Sequence, residues 1–185
     1  FSVGFGNIGK EVCRVMSNAF DMNILVYDPY FTKESIESFG YRKVETFEEG
    51  AAIADYISLH LPSNEETHHL INSETIKAMK PGCKFINCAR GPIVDYDALC
   101  DALESGYIGM AGIDVFPEEP VSKDHRIFTL DNVIATPHCA GDTVEARTRI
   151  AISVAKDVVS VLYGKMPRCL VNKELLSQGR VSLSK

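Results

Sequence analysis

The chain has 185 residues, of which 45% are hydrophobic and 24% are charged. This composition is typical of a globular protein, and the length suffices for one well-packed core. The formal net charge of -6 argues against a surface that binds nucleic-acid phosphates or an anionic membrane. No apolar run approaches the about 20 residues needed to cross a bilayer. We therefore expect neither nucleic acid nor a membrane as a partner.

The strands and helices are predicted from hydrophobic periodicity. Strands are expected at residues 1–3, 23–27, 56–59, 84–87, 110–115 and 133–135. Helices are expected at residues 8–20, 33–39, 46–54, 73–79, 96–104 and about 143–163. Ser73 and Asp95 are predicted N-caps, and Gly106 and Gly164 are predicted to follow helix ends.

Strands and helices thus alternate along almost the whole chain. Alternation of this kind is typical of right-handed βαβ units in a parallel sheet with helices on both faces. The predicted fold class is therefore α/β, a doubly wound Rossmann-type sheet. Such sheets bind ligands beyond the carboxyl ends of their strands, so candidate functional residues are sought directly after strands.

A glycine-rich loop, GFGNIG at residues 4–9, follows the first strand and opens the first helix. Gly4 would permit a tight turn, Gly6 would let the backbone approach a pyrophosphate, and Gly9 would let helix and strand pack closely. The helix N-terminus would present free N–H groups to the anion. In this context the loop predicts a dinucleotide-binding site.

An acidic residue, Asp28, ends the second predicted strand 19 residues after Gly9. At this spacing a carboxylate accepts hydrogen bonds from the adenosine ribose. It would also repel a 2′-phosphate, and no nearby arginine is present to hold one. The sequence therefore predicts NAD as the cofactor, in preference to NADP.

Three further motifs follow predicted strands: NCARG at residues 87–91, DVFPEEP at residues 114–120 and PHCAG at residues 137–141. Together with the glycine loop and Asp28, they resemble the D-isomer-specific 2-hydroxyacid dehydrogenase family in order and approximate spacing. The resemblance runs from about residue 2 to residue 172. Five ordered motifs are far more specific than any one of them.

The resemblance implies a catalytic set of Arg90, Glu119 and His138. Arg90 would bind the substrate carboxylate and carbonyl oxygen, because a guanidinium offers two donors in one plane. His138 would exchange a proton with the substrate oxygen as hydride moves. Glu119 would orient the imidazole and favour its protonated form. Family members that act on formate carry an amide where this chain has Glu119.

By the same resemblance, further residues would line the cofactor. Asn7 and Ile8 would meet the pyrophosphate, and Asp114 would lie close to the nicotinamide. The nicotinamide end would also be lined by Leu61, Pro62, Cys88, Ala89, Arg90, His138 and Gly141.

Domain organisation is likewise inferred from the resemblance. Residues 1–166 would form the dinucleotide-binding domain, and residues 167–185 would belong to a substrate domain that is mostly absent from this chain. We expect a fragment of a longer cytoplasmic enzyme that acts on a small 2-hydroxy or 2-oxo acid and forms a homodimer through this domain. Phosphoglycerate, glycerate and other 2-hydroxy acids stay open as substrates. The alternative is an NAD(H)-sensing module, similar to corepressors that share the fold and the triad.

Several titratable residues are assigned no function. His60, His68 and His69 are interpreted as surface histidines, because no carboxylate or cysteine lies at helical metal-ligand spacing to them. No metal is predicted. The six cysteines lack C-x-x-C spacing and are expected to be reduced thiols. Cys139 is expected to be a small buried side chain.

Overall fold

A computed structural model describes residues 1–177. The chain divides into a first compact unit, Phe1–Ala140, and a second unit that begins at Gly141. Within residues 1–177, no helix has both the length and the apolar character required to cross a membrane.

The first unit is built on a seven-stranded sheet in which every neighbouring pair of strands is parallel. Its strands are β1 (Ser2–Val3), β2 (Leu25–Tyr27), β3 (Arg42–Lys43), β4 (Tyr56–Leu59), β5 (Cys83–Asn87), β6 (Ile108–Ile113) and β7 (Val133–Ala135). They lie in the order β3-β2-β1-β4-β5-β6-β7. Strand order reverses between β1 and β4, which is where such sheets bind ligands. The predicted doubly wound α/β fold is confirmed.

Helices connect these strands. They are α1 (Asn7–Phe20), α2 (Lys33–Glu37), α3 (Phe47–Ala51), α4 (Ser73–Lys77) and α5 (Tyr96–Glu104), with short 3₁₀ helices at Gly91–Ile93 and Arg126–Thr129. Asp95 caps α5 as predicted, since its carboxylate accepts the N–H groups of Asp97 and Ala98. The prediction that Ser73 caps α4 is wrong. Asn72 takes that position, and its side chain accepts the N–H groups of Glu74 and Thr75.

The main hydrophobic core lies between the sheet and its helices. Alternate residues of the central strands are completely buried, among them Ile57, Leu59 and Phe85. Leu99 and Leu103 of α5 belong to the same cluster. Because this packing fixes the strands side by side, the loops at their carboxyl ends are held in defined positions.

The second unit contains α6 (Val144–Leu162) and α7 (Glu174–Ser177). Thr143 caps α6 by accepting the N–H of Ala146. In the segment after α6, Arg168 forms an ion pair with Asp157. The assignment of residues 167–185 to a substrate domain stays a prediction, and residues 178–185 of that segment lie outside the described residues.

Candidate active site

The glycine loop begins where β1 ends. Gly4 has φ +103°, and a Cβ there would lie 2.5 Å from the carbonyl oxygen of His60. A Cβ on Gly9 would lie 2.4 Å from the carbonyl oxygen of Gly4. Only glycine fits either position without a backbone shift, because Gly4 lies against the residues after β4 and Gly9 of α1 lies against the loop itself.

The N-terminus of α1 is open to solvent. Gly6 is its N-cap, no side chain caps the helix, and its first turn contains no acidic residue. Gly6, Asn7 and Ile8 are exposed, and a Cβ on Gly6 would meet nothing within 4 Å. Free N–H groups, the positive end of the helix dipole and open space above Gly6 fit a bound pyrophosphate.

Asp28 lies beside this loop at the end of β2 and is buried. One carboxylate oxygen accepts the N–H of Phe5 at 2.8 Å, and the other accepts the N–H of Tyr30 at 2.9 Å. Each oxygen keeps further acceptor capacity, because a carboxylate offers about four lone-pair positions. The two backbone bonds therefore orient the carboxylate next to the glycine loop.

The end of β4 contacts the same loop. A Cβ on Gly4 would lie 3.1 Å from the Leu61 side chain, whereas Pro62 is exposed. The interpretation of His60 as a surface residue is wrong, because His60 is half-buried and lies 3.0 Å from the Ser58 hydroxyl. Burial, with a smaller contribution from the N-terminal charge, lowers the pKa of His60 to about 4.

His68 and His69 are exposed, as predicted. Their rings stack on each other with centroids 4.1 Å apart. No cluster of three metal-ligating side chains occurs within the part of the chain that the structure describes.

Arg90 follows β5 in a turn that the buried Asn87 shapes. The Asn87 side chain accepts the N–H of Ala89 and donates to the carbonyl of Arg90, both at 3.0 Å. Arg90 itself is exposed, and its guanidinium donates to the carbonyl of Ala89. Cys88 is exposed and Ala89 is buried.

Asp114 follows β6 and holds the loop after β7. Its buried carboxylate accepts the Thr136 hydroxyl and the N–H groups of Cys139 and Ala140. Burial alone would raise the pKa of Asp114, but these hydrogen bonds outweigh it and lower the pKa. Cys139 is exposed, so the prediction that it is a buried side chain is wrong. Only its backbone is held by Asp114.

His138 lies in this loop and has φ +54°, which is uncommon for a residue other than glycine. Its Nδ1 lies 2.7 Å from one oxygen of Glu119, and the other oxygen accepts the N–H of Phe116 at 3.1 Å. The hydrogen bond with His138, then that from Phe116, lowers the pKa of Glu119, and the charge of Arg90 adds to the effect. Glu119 is thus held as a carboxylate against the imidazole.

Arg90 thus follows β5, Glu119 follows β6 and His138 follows β7, so all three lie in loops at the carboxyl ends of neighbouring strands of the first unit. The predicted cofactor residues from Gly4 to Ala140 lie at the same edge of the sheet. Gly141, which was also predicted to line the nicotinamide, belongs to the second unit.

Asn87 and Gly91 belong to the NCARG motif, but the sequence pattern predicted no supporting role for either residue. A Cβ on Gly91 would lie 1.9 Å from the carbonyl oxygen of Phe116, so this glycine lets the Arg90 and Glu119 loops approach each other. The glycine after Arg90 is visible in the sequence. The contact of Gly91 with Phe116 is not visible in the sequence, because Phe116 is 25 residues further along the chain.

These features define the class of protein. A parallel doubly wound sheet, a glycine loop at the switch point and an acidic residue at the next strand end together form a dinucleotide-binding domain. The chain carries, in addition, a histidine–carboxylate pair with an arginine near it.

Residues 2–140 match the family model described as D-isomer specific 2-hydroxyacid dehydrogenase, NAD binding domain. The chain belongs to this family, as the sequence motifs predicted. The family's cofactor is NAD, and the residues at the glycine loop and Asp28 fit that group.

Relatives with assigned activities support this membership. The chain is 42% identical to D-3-phosphoglycerate dehydrogenase of Methanocaldococcus jannaschii over 179 residues, 97% of this chain and 34% of that protein. It is 41% identical to glyoxylate reductase of Thermofilum pendens over 177 residues, 94% of this chain and 51% of that protein. The chain thus spans between a third and a half of the length of these relatives.

Solved structures agree with the fold. The D-lactate dehydrogenase of Lactobacillus jensenii, solved with NAD+, superposes with a TM-score of 0.84 at 29% identity. The match covers 93% of this chain and 55% of that structure.

Proposed function

We propose that this chain is the NAD-binding part of an NAD-dependent 2-hydroxyacid dehydrogenase in which His138 is the general acid and base. The observation that carries the proposal is the 2.7 Å contact between His138 Nδ1 and Glu119, beside the Arg90 loop. This pair lies at the same sheet edge as the glycine loop. A proton donor, an anion-binding group and a dinucleotide site are the three parts that this reaction needs.

Cofactor binding is assigned to the residues at the carboxyl edge of the sheet. The backbone of Gly6, Asn7 and Ile8 holds the pyrophosphate, and Asp28 accepts hydrogen bonds from the adenosine ribose. Cys88, Ala89 and Asp114 line the nicotinamide end, with Leu61 and Pro62 beside the glycine loop. Bound NADH supplies the hydride that adds to C2 of a 2-oxo acid.

The chain's own residues bind the substrate and move the proton. Arg90 turns from the Ala89 carbonyl to the substrate carboxylate, which a guanidinium binds with two parallel donors. Glu119 accepts the Nδ1–H of His138, and in the imidazolium form Nε2 carries a second proton, which passes to the carbonyl oxygen and leaves a neutral ring with Nδ1–H still bonded to Glu119. In the oxidative direction Nε2 takes the proton back from the hydroxyl group.

Ionisation of Glu119 supports this assignment. Its lowered pKa keeps the carboxylate charged at every pH above its ordinary range, and the interaction with His138 is lost only as pH falls through the lower, folded-state value. We therefore expect protonation of Glu119 to limit activity only at pH values below the ordinary titration range of a glutamate.

The test uses the full-length protein that contains this chain, with NADH and a panel of small 2-oxo acids that includes glyoxylate. We expect His138→Gln to lower kcat/KM by about 10² to 10⁴ and to leave the Kd for NADH unchanged. His68→Gln is the control, since His68 is exposed and has no assigned role. Wild-type activity that survives His138→Gln would contradict the proposal.

The finer properties of the whole protein belong to the same proposal. We propose a small 2-hydroxy or 2-oxo acid as its substrate, a homodimer as its assembly and the cytoplasm as its compartment. The cysteines of the described chain are free, which is in keeping with a reducing compartment. Residues 1–166 are proposed as the dinucleotide-binding domain, followed by a segment that returns to the substrate domain.

A further inference from the structure

A buried tyrosine lies beneath the two catalytic loops. Tyr96 is the first residue of α5, and its side chain is 6% exposed. Its hydroxyl donates to the carbonyl of Val115. Burial raises the pKa of Tyr96, although the nearby Asn87 side chain acts in the opposite direction. The hydroxyl therefore keeps its proton and remains a donor.

This hydroxyl hydrogen-bonds the Glu119 loop through the Val115 carbonyl, and the Asn87 side chain at the base of the Arg90 turn lies near it. Asn87 bonds to the N–H of Ala89 and the carbonyl of Arg90, so it sets the turn that carries Arg90. Val115 directly precedes Phe116, whose N–H donates to Glu119. A movement of Tyr96 would therefore change both turns together.

The same two loops are in direct contact at Gly91, where any Cβ would meet the carbonyl of Phe116 at 1.9 Å. The ring of Tyr96 also packs near the Phe116 ring, with centroids 6.2 Å apart. Steric contact alone limits how close the loops come. The directional hydrogen bond from Tyr96 to the Val115 carbonyl also fixes where the Glu119 loop lies.

We propose that Tyr96 is a positioning residue that fixes the Arg90 turn relative to the Glu119–His138 pair. The inference rests on the proposed function, because it assigns these three side chains to substrate binding and proton transfer. Tyr96 is buried, so it acts through its hydrogen bond to Val115 and its packing near Phe116, and it contacts no substrate. Its effect is on alignment of a bound substrate with the proton donor.

A purely structural role is the competing explanation, and Tyr107 provides the matched control. Its hydroxyl donates to the carbonyls of Lys77 and Met79 at 2.7 and 2.9 Å. Tyr107→Phe thus removes a comparable tyrosine–backbone hydrogen bond that supports no residue of the proposed site.

The experiment compares Tyr96→Phe and Tyr107→Phe with wild type in the full-length protein. We expect Tyr96→Phe to lower kcat by roughly ten- to a hundredfold, because small misplacements of reacting groups have effects of this size. The KM for the 2-oxo acid should change by less than about threefold, since Arg90 still binds the carboxylate. The Kd for NADH should be unchanged. Tyr107→Phe should change none of these values.

A second readout is the pKa of Glu119, which is measured by ¹³C NMR titration of wild type, Tyr96→Phe and Tyr107→Phe. We expect Tyr96→Phe to raise the pKa of Glu119, because the Phe116 N–H no longer points at the carboxylate, whereas Tyr107→Phe leaves it in place. Equal kinetics and equal Glu119 titrations in the two variants would overturn the proposal. If the wild type reduces no 2-oxo acid, the proposed function fails, and the NMR titration still decides the role of Tyr96.

Discussion

Replacing Asp114 by alanine tests whether this carboxylate holds the His138 loop. The variant removes the acceptor of the Thr136 hydroxyl and of the N–H groups of Cys139 and Ala140. We expect a clear loss of folding stability at neutral pH. We also expect the loop that carries His138 to lose its order, because its strongest local contacts end at this carboxylate.

The size of the loss follows from these three bonds. A hydrogen bond to a charged group contributes about 1.5–3 kcal/mol, and a donor left without a partner adds to the loss. The contributions overlap, and removing a buried charge offsets part of them. We therefore expect the free energy of unfolding to fall by about 3 kcal/mol. This loss is a large share of the free energy of unfolding of a typical domain, which is about 5–15 kcal/mol.

Urea unfolding of wild type and Asp114→Ala at several pH values measures this loss. Because folding lowers the pKa of Asp114, its contribution is complete above the unfolded value and disappears as pH falls through the folded value. The difference between the proteins should therefore shrink below about pH 4. Asp55→Ala is the control, because Asp55 pairs with Lys80 at the surface. Removing this exposed ion pair should change the free energy of unfolding only slightly. A deficit that is absent, or that is the same at every pH, would refute the reasoning.

Three glycine substitutions give further predictions. Gly6→Ala should leave the melting temperature unchanged, since its Cβ meets nothing within 4 Å, and should weaken NAD binding in a calorimetric titration. Gly9→Ala should lower the melting temperature, because its Cβ would lie 2.4 Å from the Gly4 carbonyl; a variant as stable as wild type would show that the loop is not packed as described. Gly91→Ala should destabilise the protein by about 1–3 kcal/mol through the clash with Phe116 and should also reduce kcat/KM. Normal activity of this variant would contradict the contact between the two loops.

The sequence predicted the fold well because a parallel sheet leaves a strong pattern. Its strands at Tyr56–Leu59 and Val133–Ala135 and its helix at Tyr96–Glu104 have the predicted ends. The strand Arg42–Lys43 was missed, since two charged residues carry no hydrophobic pattern. Only its pairing with β2 makes it a strand.

The candidate site was predicted in part. The motifs predicted Arg90, Glu119 and His138 as the catalytic set; the structure places them at one edge of the sheet, and their catalytic roles stay predictions. The roles of Asn87, Gly91 and Tyr96 were not predictable, because they depend on contacts between residues far apart in sequence. The burial of His60 and the exposure of Cys139 were misjudged for the same reason, since residue type alone does not determine which side of a loop faces solvent.

The most direct test of the account is a calorimetric titration of this protein with NAD and NADP, beside Asp28→Asn and Gly6→Ala. We expect wild type to bind NAD in preference to NADP and Asp28→Asn to reduce this preference. We expect Gly6→Ala to weaken the binding of both dinucleotides and to keep the wild-type melting temperature. Asp28→Asn preserves the size of the side chain and one of its two acceptors of backbone N–H groups, since an amide has a single oxygen. Equal affinity of wild type for the two dinucleotides, or NAD binding that neither substitution changes, would contradict the account.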